Sequence, residues 1–340
     1  MTFLFGPVPS RRLGRSLGVD LIPRKSCPYD CVYCEVGPTT QQTLDRFEYQ
    51  TEAIIQELRS CLAHPAAEMD FITLAGSGEP TLNLGIGRII QAIKEMTDTP
   101  VAVLTNGALL HLPEVRRELA AADVILPSLD SAIEETWRRI NRPLPEMSLA
   151  QMIEGLFALR REYRGQIWLE IMLLKGMNDT GEELAALRHV IERLAPDKVQ
   201  LNTAVRPVVD EVAQPLNEEE MEAAAAFLGP SAEVIASCSR SAKAEAAVSD
   251  ARFIEMLARR PMTAADVAQV LGLPLEVVQA RLKRLCKSGL VDYSLYQEQG
   301  FYRSQDTTAI CSHGNFVGSL PSKSKGIAYE VTGPNRNKKL

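Results

Sequence analysis

No uninterrupted apolar stretch in the 340 residues approaches the roughly 20 needed to cross a bilayer, which excludes a helical membrane span. The opening residues 1–5 have no basic region ahead of them and run into Pro7 and Pro9, so they lack the build of a secretory signal, and a cytoplasmic location is expected. Histidine is scarce: His64, His111, His189 and His313 are scattered and form no ligand pair. A net charge of −6 argues against a chain that coats nucleic acid over its whole surface, although it allows a local basic face. The rest of the composition is ordinary for a globular protein, with 46% hydrophobic and 24% charged residues, and the length suits one large domain plus a small one.

Cysteine is the exception. There are seven, an odd number, and three of them fall within eight positions, which points to thiolates kept reduced for metal rather than to a disulfide framework.

From residue 18 to 202, short β-branched runs alternate with longer amphipathic stretches, the pattern of repeated βα units. Six strands are expected at 18–22, 70–75, 101–105, 124–128, 168–174 and 198–202, each nearly all apolar because a parallel strand is covered on both faces. Helices are expected at 51–62, 85–96, 113–121, 148–163 and 182–194, with Thr51, Ser148 and either Asp179 or Thr180 as N-caps. The fold class is therefore α/β, a partial (β/α)6 TIM-like barrel over residues 1–210 with one side open and the chemistry on the loops that follow the strands. Residues 211–249, with Pro215, Pro230 and a small helix near 218–227, read as a closing segment and linker. Residues 250–304 read as three short helices and a hairpin, a winged helix-turn-helix, and the polar tail 305–340 is expected to be disordered.

Cys27, Cys31 and Cys34 directly follow the first expected strand. Three close thiolates suit a soft metal, yet an electron-transfer cluster normally takes four protein ligands, whereas three leave one iron open. A structural zinc site is the rival reading, but zinc wants a fourth ligand that no Cys or His pair supplies. This CxxxCxxC segment, with Tyr33 just before the last cysteine, resembles the signature of the radical S-adenosylmethionine (SAM) superfamily. The resemblance implies a [4Fe–4S] cluster on Cys27, Cys31 and Cys34 whose open iron chelates SAM, reductive cleavage to a 5′-deoxyadenosyl radical, and hydrogen abstraction from a substrate. It also implies an outside one-electron donor of flavodoxin or ferredoxin type, no catalytic residue beyond the cluster, and Tyr33 against the adenine.

Residues 75–81 (AGSGEPT) follow the second strand and resemble the superfamily's GGEP motif, with Ser77 in place of a glycine. Gly78 would let backbone approach the ligand, and Glu79 would accept hydrogen bonds from the SAM ammonium. Asn106 ends the third strand, as a ligand contact or an ordinary Asn-Gly turn. Ser128 and Asp130 end the fourth, where relatives bind the SAM ribose, although Asp130 also suits an N-cap. Glu170 interrupts the fifth strand and needs a ligand or an arginine partner. Asn202, Thr203 and Arg206 follow the sixth, as substrate contacts or loop caps.

The residues at 6–21, 175–179 and 202–207 resemble uncharacterised bacterial and archaeal radical SAM proteins grouped with tRNA wyosine synthases, over about residues 5–210. Wyosine synthases carry further cysteines upstream, and none precedes Cys27. The second cysteine triad of the molybdenum-cofactor GTP cyclase is missing too, and Cys61, Cys238, Cys286 and Cys311 read as free thiols. Gln279, Arg281, Lys283, Arg284 and Lys287 decorate the last helix as in a DNA-recognition helix, but residues 250–304 hold eight basic against six acidic residues, a net of +2, modest for phosphate binding. Two alternatives stay open: a cluster-based redox sensor that binds DNA, and an RNA-modifying radical enzyme whose winged helix presents the substrate.

Overall fold

The computed structural model describes residues 3–63, 68–206, 208–235, 249–297 and 299–305. Strands β1 (Leu4–Ser10) and β2 (Gly14–Asp20) form an antiparallel hairpin, and the two-residue strands β3 (Ser26–Cys27) and β4 (Gln41–Gln42) pair in parallel to tie off the cysteine loop. Alternating units follow: α1 (Thr51–Ala63), β5 (Phe71–Ala75), α2 (Ile86–Met96), β6 (Val101–Thr105), α3 (Pro113–Leu119), β7 (Val124–Pro127), α4 (Glu134–Asn141), α5 (Leu149–Glu162), β8 (Gln166–Leu173), α6 (Gly181–Leu194), β9 (Lys198–Thr203), α7 (Glu218–Leu228) and β10 (Ala232–Val234). The strand order β1-β2-β5-β6-β7-β8-β9-β10 makes one sheet, parallel from β2 to β10. The six expected strands are its middle, in chain order, as a partial barrel requires.

Two strands of this sheet were not expected. β1 carries Gly6, Pro7 and Pro9, residues that spoil a strand pattern but are tolerated at a sheet edge, where a missing N–H costs no ladder bond. β10 has only three residues and pairs with β9 at the other edge, so part of the closing segment extends the barrel sheet. Residues 236–248 of the expected linker, which include Cys238, and residues 306–340, which include Cys311, lie outside the described residues.

The sheet is packed on both faces. Its outer face meets the helices through the main core, in which Ile54, Leu58, Ile72, Leu74, Ile89 and Ile90 are fully buried. At the start of the strands the inner face is closed by a small cluster of Leu13, Ala102, Val124, Leu126 and Trp168, so the hollow of the barrel opens toward the strand ends. Of the expected caps, Thr180 accepts a bond from the Glu183 N–H. Ser148 makes none; Glu134 on α4 takes the Leu149 N–H at 3.0 Å in its place. The Thr51 hydroxyl is buried without a partner, so it does not cap α1.

The second unit runs α8 (Asp250–Arg259), β11 (Met262–Thr263), α9 (Ala264–Leu271), α10 (Leu275–Lys287), β12 (Val291–Tyr296) and β13 (Gln299–Ser304), with a three-stranded antiparallel sheet in the order β11-β13-β12. It has its own core around Phe253, Leu257, Val267, Val278 and Leu282. Thr263 and Asp266 form a capping box for α9, and Gly272, at φ +63°, ends that helix in the left-handed region. Among the described residues no helix is long and apolar enough to cross a membrane.

Candidate metal and SAM centre

The cysteine loop leaves β2 and is held from two sides. The Lys25 N–H bonds to the Ser77 carbonyl at 2.6 Å, and the Glu79 N–H bonds to the Ser26 carbonyl at 3.0 Å, so the loop after β5 and the cysteine loop are stitched backbone to backbone. Gly78 permits this: a Cβ there would lie 2.0 Å from the Ser26 carbonyl oxygen. On the other side, the Val32 and Asp30 N–H groups bond to the Ile140 and Asn141 carbonyls at the end of α4, at 2.9 and 3.1 Å. Tyr29 packs edge-on against the buried Trp137, with ring centroids 5.8 Å apart, and Val32 is fully buried. These two anchors between the cysteines leave the thiols half-buried.

Each sulfur has a different donor. Asn106 Nδ2 lies 3.4 Å from Cys27 Sγ, Asn141 Nδ2 3.4 Å from Cys31 Sγ, and Lys25 Nζ 3.1 Å from Cys34 Sγ. Burial, seconded by Glu79, pushes the Cys27 thiol up to about 12, and burial with the Cys27 charge pushes Cys31 well above its ordinary value. Thiols in such a place ionise only when a cation arrives, and bound iron supplies that charge. Among the described residues no three His, Cys, Asp or Glu side chains converge on one ion position, and a cubane, which gives each cysteine its own iron, requires no such point. The donor set thus fits a three-cysteine [4Fe–4S] cluster, with N–H groups placed to tune it.

Glu79 is 2% exposed. Its Oε1 accepts from the Thr81 N–H, the Thr81 hydroxyl and the Thr105 hydroxyl, at 3.1, 2.6 and 2.7 Å, and its Oε2 accepts from the Asn106 N–H at 2.7 Å. Burial raises its pKa while these four donors lower it. The carboxylate therefore fastens the β5 loop to the β6 loop, and Oε2 keeps one lone pair to offer. Asn106 Oδ1 accepts from the Ala108 N–H at 2.9 Å, which aims Nδ2 at Cys27.

Asp130, also 2% exposed, accepts from the Tyr33 hydroxyl and Asn141 Nδ2 at 2.6 Å each and from the Met172 N–H at 2.9 Å. Burial raises its pKa against those same donors. Asp130 thereby fixes the half-buried Tyr33 ring and the amide that faces Cys31. Ser128 is half-buried beside β8, bridged to Glu170. The Glu170 side chain forms an ion pair with Arg12 of the β1–β2 turn. Asn202 and Thr203 are occupied locally, the latter bonding to the Leu173 carbonyl at 2.8 Å, while Arg206 bonds to Glu35 at 3.2 Å.

The structure thus gathers Cys27, Gly78, Glu79 and Asn106 into one group and Cys31, Tyr33 and Asp130 into an adjoining one, while Glu170 is paired with Arg12. Sequence reasoning missed Lys25, Asn141, Arg12 and Glu35. Lys25 carried a local signal, being a cation two residues before a cysteine; Asn141, 110 residues from Cys31, carried none.

An α/β partial barrel whose first parallel strand delivers three such cysteines to its mouth is the architecture of a SAM-cleaving iron–sulfur enzyme. The family model described as the Radical SAM superfamily matches residues 21–188. The chain is 37% identical over 217 residues to a UPF0026 protein of Methanocaldococcus jannaschii, covering 63% of this chain and 67% of that one. It is 40% identical over 294 residues to a Brachyspira hyodysenteriae protein named GTPase Obg, covering 85% of this chain and 43% of the other, so it spans less than half of that relative's length. Among solved structures, TYW1 with a lysine-pyruvate adduct bound aligns with a TM-score of 0.47 at 19% identity, over 63% of this chain and 72% of that one. The chain belongs to the radical SAM superfamily, as a relative of its UPF0026 proteins. It is an enzyme whose cofactors are a [4Fe–4S] cluster and SAM.

Proposed function

We propose that this enzyme holds the cluster on Cys27, Cys31 and Cys34, cleaves SAM reductively there, and abstracts hydrogen from a substrate bound in the barrel hollow. The bound cluster supplies the electron that splits the SAM sulfonium into methionine and a 5′-deoxyadenosyl radical. The chain's own residues do the positioning. Glu79 offers the free lone pair of Oε2 to the SAM ammonium, a charge-assisted bond in a place water does not reach. Tyr33, pinned through its hydroxyl to Asp130, presents its ring face to the adenine. Ser128 faces the ribose, and Glu170 with Arg12 lines the inner wall. Gly78 and Asn106 complete the cradle by close approach and by the bond to Cys27.

The observation that carries this reading is the set of three thiols at the strand ends, each with its own N–H donor and, among the described residues, no fourth cysteine beside them. Superfamily members take their electrons from reductants, and for this chain we assign the donor to the flavodoxin or ferredoxin type and the setting to the reducing cytoplasm. The C-terminal unit, read as a winged helix, offers little to DNA: Arg281 and Arg284 are engaged with Asp250. The hairpin side is spent on the barrel, with Tyr296 bonded to the Ala204 carbonyl and Arg303 to the carbonyls of Glu35 and Val36. Anaerobic reconstitution with iron and sulfide, reduction with dithionite and chromatography test the proposal. Formation of 5′-deoxyadenosine from SAM is expected, and a reduced, cluster-loaded protein that leaves SAM intact would refute it.

A further inference from the structure

The hollow of the barrel is not open to one side as a bare partial barrel would be. The C-terminal unit closes it. Arg24 bonds to the Ala258 carbonyl at 2.9 Å, and Arg259 stacks over the Phe5 ring at 4.4 Å and lies 3.6 Å from Asp20. One cavity between the units, of about 260 Å³, is walled by the β1–β2 hairpin, β5, Glu35 and the end of α8; a second, of about 610 Å³, shares Arg11, Arg206 and Arg260 and reaches Glu218, Glu222 and Asp266.

The lining of the smaller cavity is strongly cationic. Arg11, Arg12, Arg206, Arg259 and Arg260 face it, against two carboxylates, Asp20 and Glu35. Three of the five guanidiniums are matched by acids: Arg12 by Glu170, Arg206 by Glu35 and more distantly Asp266, and Arg259 by Asp20 and Glu255. Arg11 and Arg260 have no hydrogen bond or ion pair from their side chains among the described residues. A third orphan, Arg12 Nε, is buried with no partner although Nη2 of that guanidinium is paired with Glu170. Burial and the charge of Arg206 lower the pKa of Arg11 and of Arg260, the latter to about 10, and the charges of Glu35 and Asp266, which several arginines share, offset this only in part.

Two unpaired guanidiniums in a small cavity call for an anion. A carboxylate would cancel one charge, whereas a phosphate monoester, with close to two negative charges and three acceptor oxygens, answers both forks at once. The cavity is sized for a small molecule. We infer that Arg11 of the barrel and Arg260 of the C-terminal unit together bind the phosphate group of a small phosphorylated substrate, so that the C-terminal unit is a wall of the substrate site. This rests on the radical SAM reading for the identity of the hollow, but the anion site is tested separately from it.

The full-length, cluster-loaded protein, saturated with SAM under anaerobic conditions, is titrated with inorganic phosphate and followed by calorimetry. One phosphate per chain is expected, weakened at least about tenfold by Arg11→Gln and by Arg260→Gln, with partial recovery in Arg260→Lys and no change in Lys283→Gln, which lies on α10 away from the cavity. Thermal unfolding of each variant shows that the fold is retained, and the Lys variant keeps the test alive if a Gln variant is not. Absence of binding up to about 50 mM, binding indifferent to both Gln substitutions, or binding that appears only when SAM is left out, the SAM carboxylate then being the true occupant, overturns the assignment. Formation of 5′-deoxyadenosine by the wild-type protein is measured alongside. Its failure with phosphate binding intact refutes the radical reading alone, and the reverse result refutes the anion site alone.

Discussion

The hydrogen bond from Tyr33 to Asp130 offers the sharpest energetic test of how the site is held. At 2.6 Å it is a charge-assisted O–H to carboxylate contact in a place where the acceptor is 2% exposed. Such bonds contribute about 1.5–3 kcal/mol. Tyr33→Phe removes it but leaves Asp130 with Asn141 Nδ2 and the Met172 N–H, so the carboxylate is not orphaned and the expected loss is at the lower end, about 1.5 kcal/mol. Asp130→Asn does more harm, because its new amide N–H group is turned either toward the Asn141 amide and the Tyr33 hydroxyl, which share Oδ2, or toward the Met172 N–H on Oδ1; two donors then face each other, and about 3 kcal/mol is expected. The two losses do not add. The double variant should fall short of their sum by about 1–2 kcal/mol, the coupling between partners in one network. Urea unfolding of the cluster-free protein reads this out, Tyr33→Phe moving the midpoint by roughly 0.5 M. A coupling below about 0.5 kcal/mol would show that the contact does not organise the site, and the pinned Tyr33 ring would lose its basis.

Gly78→Ala sets a Cβ 2.0 Å from a backbone oxygen of the cysteine loop, so the iron bound after reconstitution should fall several-fold. Gly176→Ala, at φ +71° with nothing within 4 Å, should cost only about 1 kcal/mol and keep its iron, and iron assays on the pair separate loop packing from generic strain. Cys31→Ala should abolish both the brown cluster absorbance and 5′-deoxyadenosine formation; retention of either in that variant contradicts the ligand assignment. Hydrogen bonding from Arg281, with the charges of Arg281 and Arg284, holds the Asp250 carboxyl below its ordinary 3.8. A depressed acid stabilises the fold above its unfolded pKa and ceases to as pH falls through the folded one. Asp250→Asn should therefore lower the melting temperature slightly at pH 7, the pair being largely exposed and contributing about 0.5 kcal/mol, and the difference from wild type should vanish in acid.

The middle of the fold was legible because parallel strands buried on both faces leave continuous apolar runs, as in Gln166–Leu173, where seven of eight residues are buried. The hairpin β1–β2 was hidden by Gly6, Pro7, Pro9 and Gly14, whose backbone preferences mask a strand that owes its existence to pairing across a sheet edge. Helix α4, EETWRRIN, is too polar to announce itself; it is held by Trp137 and Ile140 pressing into two separate cores. Within the site, residue types at fixed short spacing were readable, the three cysteines from the chemistry of close thiolates and the 75–81 turn from its resemblance to the GGEP motif. Asn141 and the arginine-lined cavity depend on contacts across more than a hundred residues, and spacing along the chain carries no trace of those; Lys25 left a faint local signal, but its aim at Cys34 depends on a backbone turn at φ +60°.

The account stands on an iron that the chain leaves without a protein ligand. Mössbauer spectroscopy of the reconstituted protein before and after SAM addition addresses this directly. One iron of the cluster should change its signal when SAM binds while the others keep theirs. A spectrum indifferent to SAM, or anaerobically purified protein that carries zinc enclosed by four protein ligands in place of the cluster, would contradict it.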